Sequence, residues 1–120
     1  MTAGSLHSSD AEDAVVIEYI RYRIAEHRKL EFELAYATAM NLLEQSPHCL
    51  GCDVARSIQE PTSYIVRIEW DSVEGHRNGF AKSPLFPKYL AAVRPFMGDI
   101  EEMRHYERTG AVGRIGAGVG

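Results

Sequence analysis

Ile65-Val66-Arg67-Ile68-Glu69-Trp70-Asp71-Ser72-Val73-Glu74-Gly75-His76 decides the fold. From Tyr64 to Trp70 the residues are β-branched or aromatic, interleaved with charges, which suits a pleated and partly buried strand. Asp71 or Ser72 then stands as a helix cap, and Glu74 follows Asp71 at capping-box spacing, so the spacing predicts a helix through about Lys82. The stretch is thus a strand running into a helix. It carries the only tryptophan of the chain at the strand end and a histidine in the first helical turn.

Outward toward the N-terminus, Glu60-Pro61-Thr62-Ser63 is a turn. Before it, Cys49 to Gln59 reads as a strand in which Leu50, Cys52, Val54 and Ile58 alternate with polar or small residues, so these two strands form an antiparallel hairpin. Glu26 to Gln45 holds neither Gly nor Pro. Phe32, Tyr36, Ala39 and Leu43 make one helical apolar stripe, widened by Leu30, Leu34 and Leu42. Ser46-Pro47 ends that helix, because the residue before a proline is pushed out of the α region. Val15 to Ile24 is a further strand. Val16, Glu18, Ile20, Tyr22 and Ile24 form one alternation, and Val15, Ile17, Tyr19, Arg21 and Arg23 form the other; both carry large apolar groups.

Outward toward the C-terminus, Ser83-Pro84 restarts a helix lined by Leu85, Phe86, Tyr89, Leu90 and Val93, and Arg94-Pro95 ends it. Asp99 to Glu107 is the last strand, with Ile100, Glu102, Arg104 and Tyr106 on one face and Glu101, Met103, His105 and Glu107 on the other. The order β-α-β-β-α-β predicts an α+β, ferredoxin-like domain, a four-stranded antiparallel sheet with both helices on one face. That domain spans residues 14–108, between a disordered tail at 1–13 and a Gly-rich flexible tail at 109–120. Apolar residues on the face left bare by the helices predict a homodimer packed sheet to sheet.

Composition narrows the function classes. A net charge of −4 argues against a nucleic-acid partner. No apolar run approaches the roughly 20 residues of a membrane helix, and no basic and apolar leader pattern opens the chain, so a cytoplasmic protein is expected. Two cysteines suit a reducing compartment. Cys49-Leu50-Gly51-Cys52 has the C-x-x-C pattern beside His48. It lacks a second ligand pair for zinc, opens a strand and not a helix, and places residues three apart, on opposite strand faces; both cysteines are read as structural. Gly113 to Gly118 has no following helix, so it is not a nucleotide loop. No His, Asp and Glu group has metal-ligand spacing along the chain, and neither metal nor cofactor is expected.

Trp70 and His76 can approach one cavity between sheet and helices, the indole as a flat wall and the histidine as a proton-transfer group. Equally, they read as a core tryptophan and a capping histidine. Tyr36, Phe80, Phe86, Tyr89 and Phe96 fit an aromatic pocket or plain core. Arg21, Arg23 and Arg67 fit an anion site or, more simply, edge ion pairs with Glu18, Glu69 and Glu102. The facing of His105 depends on strand register.

Ile68-Glu69-Trp70-Asp71-Ser72, Glu74-Gly75-His76, Gly79-Phe80, Ser83-Pro84, Phe86, Pro95-Phe96 and Met103-Arg104-His105-Tyr106-Glu107 resemble the antibiotic biosynthesis monooxygenase family. Ile20-Arg21-Tyr22-Arg23 extends the likeness, which runs from about Val15 to Glu107. The resemblance implies a dimeric α+β barrel. Some members oxidise phenolic or quinol substrates with molecular oxygen and neither metal nor organic cofactor, and Trp70 matches a strand-end tryptophan discussed for them. Haem-degrading relatives carry an asparagine on the first strand and a tryptophan and histidine in the second helical region. The first strand here has no asparagine, and Leu85 to Val93 has neither of the other two, so haem degradation is not expected.

The resemblance therefore implies a cofactor-independent monooxygenase for a small phenolic, quinol or polyketide-like aromatic. Trp70 and Phe80 would wall the ring, His76 would act as base or hydrogen-bond partner, Tyr36 or His105 would add a donor, and Phe86 and Tyr89 would line the site. A non-catalytic small-molecule or stress-related binding protein, and an isomerase for a small lactone, remain open on the same fold.

Overall fold

A computed structural model describes residues 14–113. The expected tail at 1–13, and residues 114–120 of the expected Gly-rich tail, lie outside the described residues. The elements are β1 (Val16–Arg23), α1 (Lys29–Glu44), β2 (Cys49–Arg56), β3 (Ser63–Trp70), α2 (Leu85–Val93) and β4 (Ile100–Glu107). Every strand pairing is antiparallel and the sheet order is β2-β3-β1-β4, the ferredoxin-like arrangement. Among the described residues no helix is long and apolar enough to cross a membrane.

The helix-facing side of the sheet is set by one alternation of β1. Val16, Glu18, Ile20 and Tyr22 are buried, and Ile24 continues them past the strand end. Phe32, Tyr36, Ala39 and Leu43 bury the stripe of α1 against this surface. Leu42 packs at its edge, but Leu30 and Leu34 are exposed. Each lies two residues, about 200°, from Phe32 around the helix, so the stripe is narrower than the sequence suggests. The α-helix also begins later than expected. Glu26–Arg28 is a 3₁₀ turn, and the Arg28 guanidinium is fixed by Asp99 at 2.7 Å, by the Pro95 carbonyl at 2.9 Å and by the Phe96 ring, 4.8 Å away.

Two bulges reset the strands. In β2, Cys49 pairs with Trp70 and Gly51 with Glu69, which leaves Leu50 as an extra residue. In β4, Glu102 pairs with Arg21 and Ile100 with Tyr22, so Ile100 faces the helices together with Met103 and His105, not with Glu102 as strict alternation would have it. β2 also stops at Arg56. Ser57 closes the turn by accepting the Glu60 N–H at 2.9 Å, and Ile58 is left exposed.

The expected continuous helix after β3 is broken. Ser72 Oγ accepts the Gly75 N–H at 2.9 Å and so caps the segment. Gly75–Phe80 is then π-helical, with the Ala81 N–H donating to the His76 carbonyl at 3.1 Å. Asp71 forms no capping box with Glu74. It binds His48 instead: its carboxylate meets Nδ1 at 3.0 Å, and its N–H donates to the His48 carbonyl at 2.8 Å. The His48 imidazole lies against the glycines of the π segment. A Cβ on Gly75 would stand 2.8 Å from Nδ1, and one on Gly79 2.5 Å from Nε2, so only glycine lets helix and imidazole approach this closely.

On the opposite face, Ile17, Tyr19, Ile65 and Tyr106 are at least partly exposed, and Tyr19 and Tyr106 meet edge to face at 6.3 Å. The strand arginines around them are paired, Arg21 and Arg23 with Glu101 at 2.5 and 2.9 Å, and Arg67 with Glu69 at 3.4 Å. Water and salt screen exposed pairs of this kind, so they shape the face more than they stabilise it.

Candidate functional site

Between the sheet, the π-helical segment and α2 lies a cavity of about 270 Å³. Trp70 ends β3 on the helix-facing side, and its ring stacks on His76 at 4.6 Å with planes 10° apart. Phe80 lies 5.1 Å from Trp70 and 5.4 Å from Tyr89, and Phe86 meets Phe80 edge to face at 5.8 Å. The π-helical register sets His76 and Phe80 around the indole, and π turns of this type recur at functional sites.

Polar groups converge on this aromatic box at two places. Tyr22 and Tyr36 share a hydrogen bond of 2.5 Å, and Tyr89 lines the cavity with them. Burial pushes all three phenols above their ordinary range, so they stay protonated hydrogen-bonding groups. The second place is Glu18, which is 5% exposed. Its Oε1 accepts the Trp70 indole N–H at 3.1 Å and lies 3.5 Å from His76 Nε2. Its Oε2 lies 4.0 Å from Nε2 of His105, which β4 pairing places directly opposite Glu18. Burial lowers the pKa of His76 below its ordinary 6.5; Glu18 opposes the shift, and His105 and Arg77 assist it. His76 is therefore a neutral imidazole at pH 7, able to accept a proton.

Six of the seven residues expected at a site line this one cavity: Trp70, His76, Tyr36, Phe80, Phe86 and Tyr89. His105 does not. It faces the helix side but stands behind His76, their rings 5.2 Å apart, on an outer hollow of about 180 Å³ shared with Val16, Val73 and Arg77. Phe96 belongs to the solid core, against Phe32. Sequence reasoning missed Glu18 and Tyr22. Glu18 carried a signal, as the one acid on the buried alternation of β1.

A larger hollow of about 370 Å³ lies over α1 and β2, lined by Glu33, Tyr36, Met40, Arg56 and Tyr64 among others. It is more open. Its polar groups satisfy one another, since Glu33 binds Arg56 at 2.6 Å and accepts the Tyr64 hydroxyl at 2.5 Å. The cavity beside Trp70 is the less open of the two, and there an imidazole, a carboxylate and an indole N–H converge.

Among the described residues one group has metal-ligand geometry: Glu18, His76 and His105, whose donor atoms lie within 4.8 Å of one another. They come from three separate elements, so spacing along the chain could not reveal them. The cysteines also differ from expectation. The Leu50 bulge sets Cys49 opposite Trp70 and Cys52 opposite Ile68, so both point to the helix side and not to opposite faces. Both are free thiols; Cys49 Sγ donates to the Gly51 carbonyl at 3.7 Å, and the closeness of the two thiols lowers the Cys49 pKa and raises that of Cys52.

Comparison with known proteins agrees with this architecture. YczJ of Bacillus subtilis, an uncharacterized protein, is 23% identical over 93 residues, covering 78% of this chain and 98% of its own. A Bordetella bronchiseptica structure, provisionally described as an antibiotic biosynthesis monooxygenase, superposes with a TM-score of 0.68 at 24% identity over 80% of this chain and 98% of its own. SnoaB of Streptomyces nogalater, a cofactor-independent oxygenase, superposes with a TM-score of 0.64 at 19% identity over 83% of this chain and 96% of its own. The antibiotic biosynthesis monooxygenase profile itself matches residues 15–92, from β1 through nearly all of α2, and the chain belongs to that family.

Proposed function

We propose that the cavity oxygenates a small electron-rich phenol or quinol with molecular oxygen, without a metal or organic cofactor. The carrying observation is the neutral, half-buried His76 stacked on Trp70 at the wall of a partly enclosed aromatic cavity. A volume of about 270 Å³ suits a compact aromatic of one or two rings. Family membership and the likeness to SnoaB support the same reading.

In this reading the substrate ring lies among Trp70, Phe80, Phe86 and Tyr89, with its hydroxyl toward His76. His76 takes the phenol proton and Glu18 stabilises the imidazolium that forms. The resulting phenolate is electron-rich enough to reduce oxygen directly. One oxygen atom enters a ring C–H carbon as a carbonyl and the other leaves as water. The ring supplies all four electrons, so no external reductant is needed. Tyr36, hydrogen-bonded to Tyr22, donates to the oxygen that develops charge, and the apolar walls exclude water.

Aerobic turnover of a panel of naphthols and hydroquinones tests this. The expected product is the quinone carrying one ¹⁸O from ¹⁸O₂, with turnover abolished anaerobically and reduced by about 10²–10⁴-fold in His76→Ala. Oxygen-independent conversion of a substrate, or oxygenation unaffected by His76→Ala, overturns the reading. We also infer that two copies pack through the open sheet face around Ile17, Tyr19, Ile65 and Tyr106. A monomer by light scattering, at concentrations where the enzyme is active, contradicts it.

A further inference from the structure

Glu18 sits opposite His105 on β4 while facing His76 from the π-helical segment. Folding thereby collects one carboxylate and two imidazoles at the boundary between the aromatic cavity and the outer hollow. The 3.5 Å between His76 Nε2 and Glu18 Oε1 is close to the separation of roughly 3.4 Å between neighbouring ligands in a tetrahedral zinc shell with bonds of about 2.1 Å. His105 has to move inward by on the order of 1 Å to complete such a shell. Its side chain, 46% exposed, has the most room of the three to do so.

We propose that Glu18, His76 and His105 form a binding site for a divalent first-row transition-metal ion, and that its occupation silences the cavity. The second half rests on the function proposed above, since an imidazole bound to metal through Nε2 carries its proton on Nδ1 and has no lone pair left to accept the substrate proton. Two imidazoles with one carboxylate are a donor set used by zinc, and imidazole favours such ions over calcium and magnesium. The carboxylate is already oriented by an outer-shell partner, the Trp70 indole N–H at 3.1 Å. A water in the fourth position faces the outer hollow of about 180 Å³. Arg77 opposes a cation here, but its exposed side chain is free to turn toward solvent.

The test is titration with Co(II), followed by its visible absorption, on the full chain carrying Cys49→Ser and Cys52→Ser so that the thiols do not compete. Saturation at a single equivalent is expected, with displacement by Zn(II). Glu18→Gln keeps a hydrogen-bond acceptor for the indole, and His105→Ala changes an exposed residue. Each is expected to weaken binding by at least the roughly 10–100-fold that loss of an outer-shell partner costs. No Co(II) uptake, or uptake indifferent to both substitutions, overturns the site. In turnover, Zn(II) is expected to lower the rate by about tenfold with recovery on chelation, and that inhibition is lost in His105→Ala whatever its basal rate. Zinc that binds but leaves the rate unchanged, or raises it, overturns the silencing. If no phenol or quinol turns over with or without metal, the proposed function fails, while the Co(II) titration still decides the site.

Discussion

The helix-facing side of the sheet is filled at one end and hollow at the other, although both ends are built from aromatic residues. At the filled end Phe32 packs against Tyr64, Tyr22, Tyr36 and Phe96 with ring centroids 4.7, 4.9, 5.1 and 5.3 Å apart. At the hollow end Trp70, His76, Phe80 and Tyr89 approach almost as closely, yet they surround about 270 Å³. The covering helix makes the difference. One continuous helix of 16 residues lays an unbroken stripe over the filled end. The hollow end is roofed by a π-helical segment of 6 residues and a separate helix of 9 residues, and the break between them leaves space that one continuous helix would fill. Aromatic content does not tell a pocket from a core; the continuity of the backbone above it does.

Truncation at the filled end tests this contrast most severely. Phe32→Ala leaves a cavity among four rings and is expected to cost about 3–5 kcal/mol in urea denaturation. A loss below about 1 kcal/mol means that this end is not close-packed. Gly79→Ala comes next. Its Cβ would collide with the His48 imidazole, and overpacking of this kind costs about 1–3 kcal/mol. Because the π segment carries His76, the same change is expected to shift the emission of Trp70, the single tryptophan.

Enlarging an alanine at each end gives the direct comparison. Ala39→Leu, under α1, is expected to destabilise by about 1–3 kcal/mol. Ala81→Leu, on the cavity wall, has room for its added carbons and is expected to change stability by under about 1 kcal/mol while abolishing ligand binding. Equal costs at both positions break the distinction between filled and hollow.

The smallest effect concerns pH. Unfolded His76 protonates near its ordinary 6.5 and folded His76 only at lower pH, so the unfolded chain binds more protons as pH falls below 6.5. The stability linked to His76 is therefore present above 6.5 and declines as pH falls through that value toward the lower folded pKa. His76→Gln is expected to flatten this part of a denaturation series run between about pH 7 and pH 5. An unchanged slope means that burial does not disfavour the imidazolium.

Much of this was legible in the residues. Strand and helix periods, the Ser46-Pro47 and Arg94-Pro95 stops and the short turn at Glu60 gave the element order. Both alternations of β1 are readable residue by residue, but not which of them faces the helices. The site was legible as far as Trp70 and His76, because strand-end and helix-start positions are local. Glu18 was not recognised, because an acid on a strand reads first as the partner of an edge arginine, and Arg21 and Arg23 were close at hand. The π-helical segment escaped because six residues are too few for the longer period of an i→i+5 helix to show in the side-chain pattern. Leu30, Leu34 and Ile58 are exposed where pattern alone made them core, since nothing local reports where a packing surface ends.

By itself, then, the sequence determined the fold class, the two alternations of β1 and the corner where Trp70 meets His76. These depend on interactions between residues near in the chain, governed by periods that any reader of the pattern can apply. Only the tertiary structure decided that Leu50 bulges and turns both thiols to one side, that Ile100 joins the helix face, and that the corner encloses a cavity. It also decided that Glu18, His76 and His105 meet. Each of these depends on register or on how two elements sit against each other, and a one-residue shift in pairing moves every side chain of a strand to the other face.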